Sequence, residues 1–149
     1  MKTDLKLNFR VLTWIALAVP AFFLLAAADL ALRARGALLK AEEYSRWRDN
    51  PSAKAAYFEA SYARKAAAGT ASPEAPARAA VLRAAEKEFQ LSESSAKMAY
   101  LWYKTAAGDF YFPMNPWAAR ARSRLPAALA AWRAELAGQG VKVEAWMLE

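Results

Sequence analysis

Ser94-Ser95-Ala96-Lys97 is the stretch of this 149-residue chain whose side-chain types and spacing come nearest to a nucleophile pattern. In S-x-x-K a serine precedes a lysine by one helical turn, and the lysine amine helps to take the hydroxyl proton during acyl transfer. The usual companions are missing: there is no S-D-N, and Lys104-Thr105 leads into Ala106 rather than glycine. A helix N-cap followed by a solvated lysine accounts for the same four residues and is the preferred reading. Glu86, Glu88 and Glu93 gather carboxylates close by in sequence, but the chain has no His and no Cys. That removes the commonest general base and metal ligand together with all thiolate chemistry. No catalytic, cofactor-binding or metal-binding residue is therefore assigned.

What the chain does concentrate is side chains suited to contact. Tyr100, Trp102, Tyr103, Phe110, Tyr111, Phe112 and Trp117 crowd into one short stretch. Within it the loop DFYFPMNP presents Phe110, Tyr111, Phe112 and Met114 between a helix end and a proline-led helix start. A small domain has no room to hide so many rings in a short loop, so this set and Trp117 are expected to meet a partner surface. Arg120 and Arg124 follow, stacked four apart on one helix face. They read either as a solvated surface, the favoured account, or as a clamp for acidic partner residues or lipid phosphates. At the far end, Gly138 and Gly140 stop the last helix and Val141 to Ala145 alternates as an edge strand would. Trp146, Met147 and Leu148 then place three large apolar residues together, expected to enter a partner groove, with fold-back on the second hairpin as the alternative.

These residues are placed in the cell by Val11 to Ala28, an 18-residue run without charge in which Thr13 is the one polar side chain. At about 1.5 Å per residue it covers roughly 27 Å, close to the hydrocarbon thickness of a bilayer. A basic head (Lys2, Lys6, Arg10) and Ala26-Ala27-Ala28 before Asp29 also match a cleaved signal peptide. Retention as an anchor is favoured, because the run is long for a signal core and helix formers continue past Asp29. Pro20 would bend such a helix, which membrane spans tolerate. Basic flanks tie across the span, and the short head ahead of a long tail favours a signal anchor with the bulk outside the cytoplasm. The expected organisation is a basic tail (1–10), an anchor (11–32), a helical extension (33–49), a helical-hairpin domain (50–138) and a docking tail (139–149).

Ala supplies 39 of the residues, and with Lys, Arg, Glu and Leu it gives the composition of helices rather than strands. The net charge of +7 falls partly on the membrane flanks, and no motif supports nucleic-acid binding. Helices are expected near 51–68, 73–91, 95–108 and 116–137, opened by Asn50-Pro51, Ser72-Pro73, Ser92 to Ser95 and Asn115-Pro116. Pro126 should kink or divide the last. Sliding the chain by 43 residues brings Ser52-Ala53-Lys54 onto Ser95-Ala96-Lys97, Tyr57 onto Tyr100, Pro73 onto Pro116, Leu82 onto Leu125 and Phe89 onto Trp132. Two copies of one hairpin follow, with Tyr57 and Tyr100 in equivalent buried places and Phe89 facing inward.

With Pro126 set at the helix-ending proline, Leu101 and Ala121 fall on the first-helix leucine and second-helix small residue of the tetratricopeptide repeat, which the second copy resembles. Trp102, Thr105, Met114 and Ala118 depart from that pattern, and the 43-residue period exceeds its 34. The resemblance covers about residues 51 to 138 and implies an α-solenoid fragment that binds proteins.

The combined expectation is an all-α, single-pass protein of the bacterial inner membrane, its bulk periplasmic. It would act as a non-enzymatic scaffold or accessory subunit whose partners are the lipid bilayer and protein subunits of an envelope complex. A Ser/Lys acyl enzyme and a lipid- or peptidoglycan-binding module are the alternatives. A periplasm-dependent reporter fused after Glu149 should be active; activity of a cytoplasm-dependent reporter at the same point would reverse the topology.

Overall fold

The computed structural model describes residues 9–68, 76–110 and 112–141. Five helices run in order: α1 (Phe9–Asp49), α2 (Pro51–Ala67), α3 (Pro76–Ser92), α4 (Ser95–Ala107) and α5 (Pro116–Gly138). No strand occurs among the described residues. The fold is all-α, as expected, and its caps explain the boundaries. Asn50 accepts from the Ala53 N–H ahead of Pro51, and Asn115 accepts from the Trp117 and Ala118 N–H groups ahead of Pro116. Each asparagine satisfies donors that the first helical turn would otherwise leave open, while proline sits where no donor is needed. At the other end of α5, Gly140 adopts a left-handed φ of 73°, with Gly140 N–H donating to Ala137 O and Val141 N–H to Leu136 O. This six-to-one, five-to-two pairing is a Schellman stop, which needs a residue without a Cβ penalty. Ser72, Pro73 and Glu74 lie outside the described residues, as do Trp146, Met147 and Leu148. Pro126 does not divide α5.

Contacts between elements fix the topology. In α4 and α5 the Tyr100 ring stacks on Trp132 at 5.3 Å, and Arg122 reaches back to Ala107 O at 3.4 Å. In α2 and α3, Lys54 Nζ donates to Leu91 O and Glu93 O, and Lys87 pairs with Glu59. Early residues of one helix meet late residues of the next in both cases, so both pairs are antiparallel hairpins.

The second hairpin closes on α1. Ala34, Ala37, Leu38 and Ala41 of α1 are buried together with Ala99, Tyr100, Tyr103 and Ala106 of α4 and Ala118, Ala121 and Ala128 of α5. On each helix these positions step by three and four residues, with half-buried Leu125 between Ala121 and Ala128 in α5, which draws a narrow seam along one face. The extension at 33–49 thus supplies one wall of a three-helix core. A second cluster, Trp47, Phe58 and Tyr62 with Tyr44 and Leu91 against it, joins the end of α1 to the first hairpin. Trp47 sits 5.0 Å from the Tyr57 ring and 5.4 Å from Phe58.

The proposed equivalence of the two hairpins fails at its marked positions. Tyr57 is 45% exposed where Tyr100 is 5% exposed, Lys54 is buried where Lys97 is exposed, and Phe89 faces solvent where Trp132 is half-buried. The reason is the third wall. α4 lies between α1 and α5, whereas α2 packs on α3 and touches α1 only near its end. Trp132→Ala should therefore cost about 2 kcal/mol, somewhat below the roughly 3–5 kcal/mol of a fully buried aromatic, and Phe89→Ala under about 0.5 kcal/mol. Equal losses on denaturation of the full chain in detergent would restore the equivalence.

Candidate functional site

The loop between α4 and α5 separates into a braced part and a presented part. Phe110 packs half-buried against the three-helix core, and Trp117 does the same from the first turn of α5. Asn115 is buried: its Nδ2 donates to Phe110 O at 3.2 Å while its Oδ1 caps α5. Asn115 N–H also donates to Phe112 O at 3.0 Å. Phe112 is exposed and Met114 is 96% exposed. Tyr111 lies outside the described residues. Met114 has a φ of 71°, a left-handed backbone that costs a non-glycine residue about 1–2 kcal/mol. An exposed apolar side chain is thus held on a strained backbone. The expected contact set is divided accordingly: Phe110 and Trp117 chiefly build the core, while Phe112 and Met114 are left facing outward.

The arginines divide as well. Arg120 pairs with Glu42 of α1 at 2.8 Å, so its first task is to tie α5 to α1. Arg124 is exposed beside a groove lined by Leu39, Ser45, Arg46 and Tyr103. Cations also roof the core from outside: Arg35 lies over the Trp117 ring at 5.6 Å and Lys40 over Trp102 at 4.7 Å.

At the S-x-x-K stretch, Ser94 Oγ accepts from the Lys97 backbone N–H at 3.0 Å as the N-cap of α4. Lys97 is exposed. The lysine that is buried in this region is Lys54, which crosses from α2 to the carbonyls ending α3. Burial pushes its ammonium below the ordinary lysine range, opposed by the charges of Glu93 and Glu135. Two carbonyls that α3 leaves open at its end are satisfied this way. Among the described residues no group of three or more His, Asp or Glu side chains is placed to hold a metal ion.

Phe89, expected to face inward, faces solvent instead and shares a second apolar surface with Leu82. On α3, Leu82 and Phe89 are each 62% exposed, seven residues apart on one face, with Val81 exposed at its edge. The face turned toward α2 instead carries Ala80, Ala84 and the stems of Arg83 and Lys87, and with Tyr62 and Ala66 it lines a groove of about 460 Å³. The i, i+7 spacing of Leu82 and Phe89 marked a common face, but nothing in the sequence said that α2 takes the alanine face.

The half of α1 ahead of the bundle is bare. Val11, Trp14, Leu17, Phe22, Phe23, Leu24 and Leu25 are all exposed, and the helix is long and apolar enough to cross a membrane. Ser94→Ala should lower the stability of the full chain by about 1 kcal/mol while Ser94→Asp, which also caps, should not; equal losses in a thermal melt would remove the capping role. No protein-family model, curated protein or solved structure matches the chain.

Proposed function

We propose that this chain is a non-enzymatic scaffold or accessory subunit of a bacterial envelope complex, anchored by residues 11–32 in the inner membrane with its bulk in the periplasm. The observation that carries the reading is the inverted burial of α3. Leu82 and Phe89 face outward, while Leu91 alone of the larger apolar side chains of α3 joins alanines and charged stems on the side facing α2. A soluble surface does not gain from two large apolar side chains on one ridge unless something covers them, and such ridges are the usual core of a protein contact. The uncovered apolar half of α1 supports the anchor, since its side chains find no cover among the described residues. The first hairpin is then the part that meets protein, and the bundle of α1, α4 and α5 is the part that holds it at the membrane.

A photo-reactive amino acid at Phe89 should give one discrete crosslinked species in intact cells, and the same label at Lys97 should not. Leu82→Glu with Phe89→Glu should abolish that species while leaving the helical content of the purified chain unchanged. Labels at both positions behaving alike would overturn the reading.

A further inference from the structure

The end of the bundle that carries Phe112 and Met114 is the end at which α1 enters its apolar half. Three contacts fix this. Trp117, at the start of α5, sits beneath Arg35. Arg120 reaches Glu42 further along α1, and late in α5 Glu135 borders the same groove as Trp47 and Arg48. α5 therefore runs parallel to α1 and α4 antiparallel, so the α4–α5 loop lies at the level of Arg35 or nearer to the apolar run. Leu30 narrows this further. It is half-buried, whereas Leu24 and Leu25 are 71% and 72% exposed. α2 meets α1 at the opposite end, so the covered part of α1 begins near Leu30 on the side of the α4–α5 loop. Ala28, where the apolar run stops, is two residues away, about 3 Å along the helix axis.

We propose that the α4–α5 loop is a second membrane contact, with Phe112 and Met114 entering the interface of the leaflet from which α1 emerges. This rests on α1 being a span. Apolar side chains at that height meet the boundary between headgroups and acyl chains, the depth at which amphipathic segments seat themselves. The charge around the loop fits an anionic lipid surface: Arg33, Arg35, Lys104, Arg120 and Arg122 stand at this end against Asp29, Glu42 and Asp109. Asp29 is already matched by Arg33 at 2.7 Å and Glu42 by Arg120 at 2.8 Å. The contact also accounts for Met114, whose backbone strain and exposure bring no benefit in water. Asn115 and Phe110 hold the loop so that it need not order on arrival.

Because the chain has no cysteine, single labels are unambiguous. The full-length chain is reconstituted into protein-free vesicles of phosphatidylcholine with phosphatidylglycerol, carrying an environment-sensitive fluorophore on Met114→Cys, Leu17→Cys or Gln139→Cys. The Met114 label should shift to the blue and be quenched about twofold or more by lipids spin-labelled near the headgroup, with Leu17 quenched best by deep labels and Gln139 by neither. A wet Met114 label beside a deep Leu17 label overturns this proposal and leaves the span standing. Wet labels at both positions overturn both. A Met114 label that becomes shielded only in native membranes assigns the loop to a protein partner and overturns the lipid contact.

Discussion

Everything beyond the apolar run of α1 depends on three alanine-lined helix faces meeting. Ala34, Ala37 and Ala41 from α1, Ala99 and Ala106 from α4, and Ala118, Ala121 and Ala128 from α5 bring the backbones close, and Leu38 is the largest side chain wholly enclosed. Small residues give little transfer free energy each, so the seam is held by close approach and by the aromatics framing it. Tyr100 stacked on Trp132 and the partly buried Trp102 supply area that alanine cannot. An added methylene at a wholly buried position such as Ala121 has to displace its neighbours, and overpacking of this kind costs about 1–3 kcal/mol. Trp102 carries a cost in this seam, since its Nε1 is buried without a hydrogen-bond partner among the described residues.

The first hairpin is organised on other terms. It hangs from the bundle through Trp47, Phe58 and Tyr62 and through the Lys54 ammonium at the end of α3. Its inner face is built from alanine, charged stems and the exposed pairs Lys87–Glu59 and Lys65–Glu86, which contribute little in water. On α3, Val81, Leu82 and Phe89 are spent on the outside. The two hairpins therefore share connectivity while doing different work: one is stapled into a core, the other holds its hydrophobic ridge outward.

What was legible in the sequence was punctuation. Asn50-Pro51, Asn115-Pro116, Ser94 and Gly140 each act through a backbone group within a few residues, so the helix boundaries they imply appear almost where they were read. Partner choice was not legible, because it is decided by faces that alanine marks only faintly. An alanine at 34, 37 or 41 looks the same whether it lies under α4 or in water, and so the role of 33–49 in the core left no clear trace. The aromatic loop was recognised as a contact feature, but its division into Phe110 and Trp117 inward and Phe112 and Met114 outward depends on Asn115 reaching Phe110, which spacing does not reveal. On α3 the rule that large apolar residues face inward gave the wrong side at Phe89, because α2 takes the face that carries Leu91 and the alanines.

α1 is unbroken from Phe9 to Asp49, about 60 Å at 1.5 Å per residue. The apolar run and the bundle are therefore cut from one helical screw, with no joint between them to absorb a change of phase. A residue inserted between Asp29 and Arg33 would turn the whole bundle by about 100° around that axis and lift it by about 1.5 Å. The compass bearing of the α3 ridge about the axis of the apolar run is thus set by a count of residues.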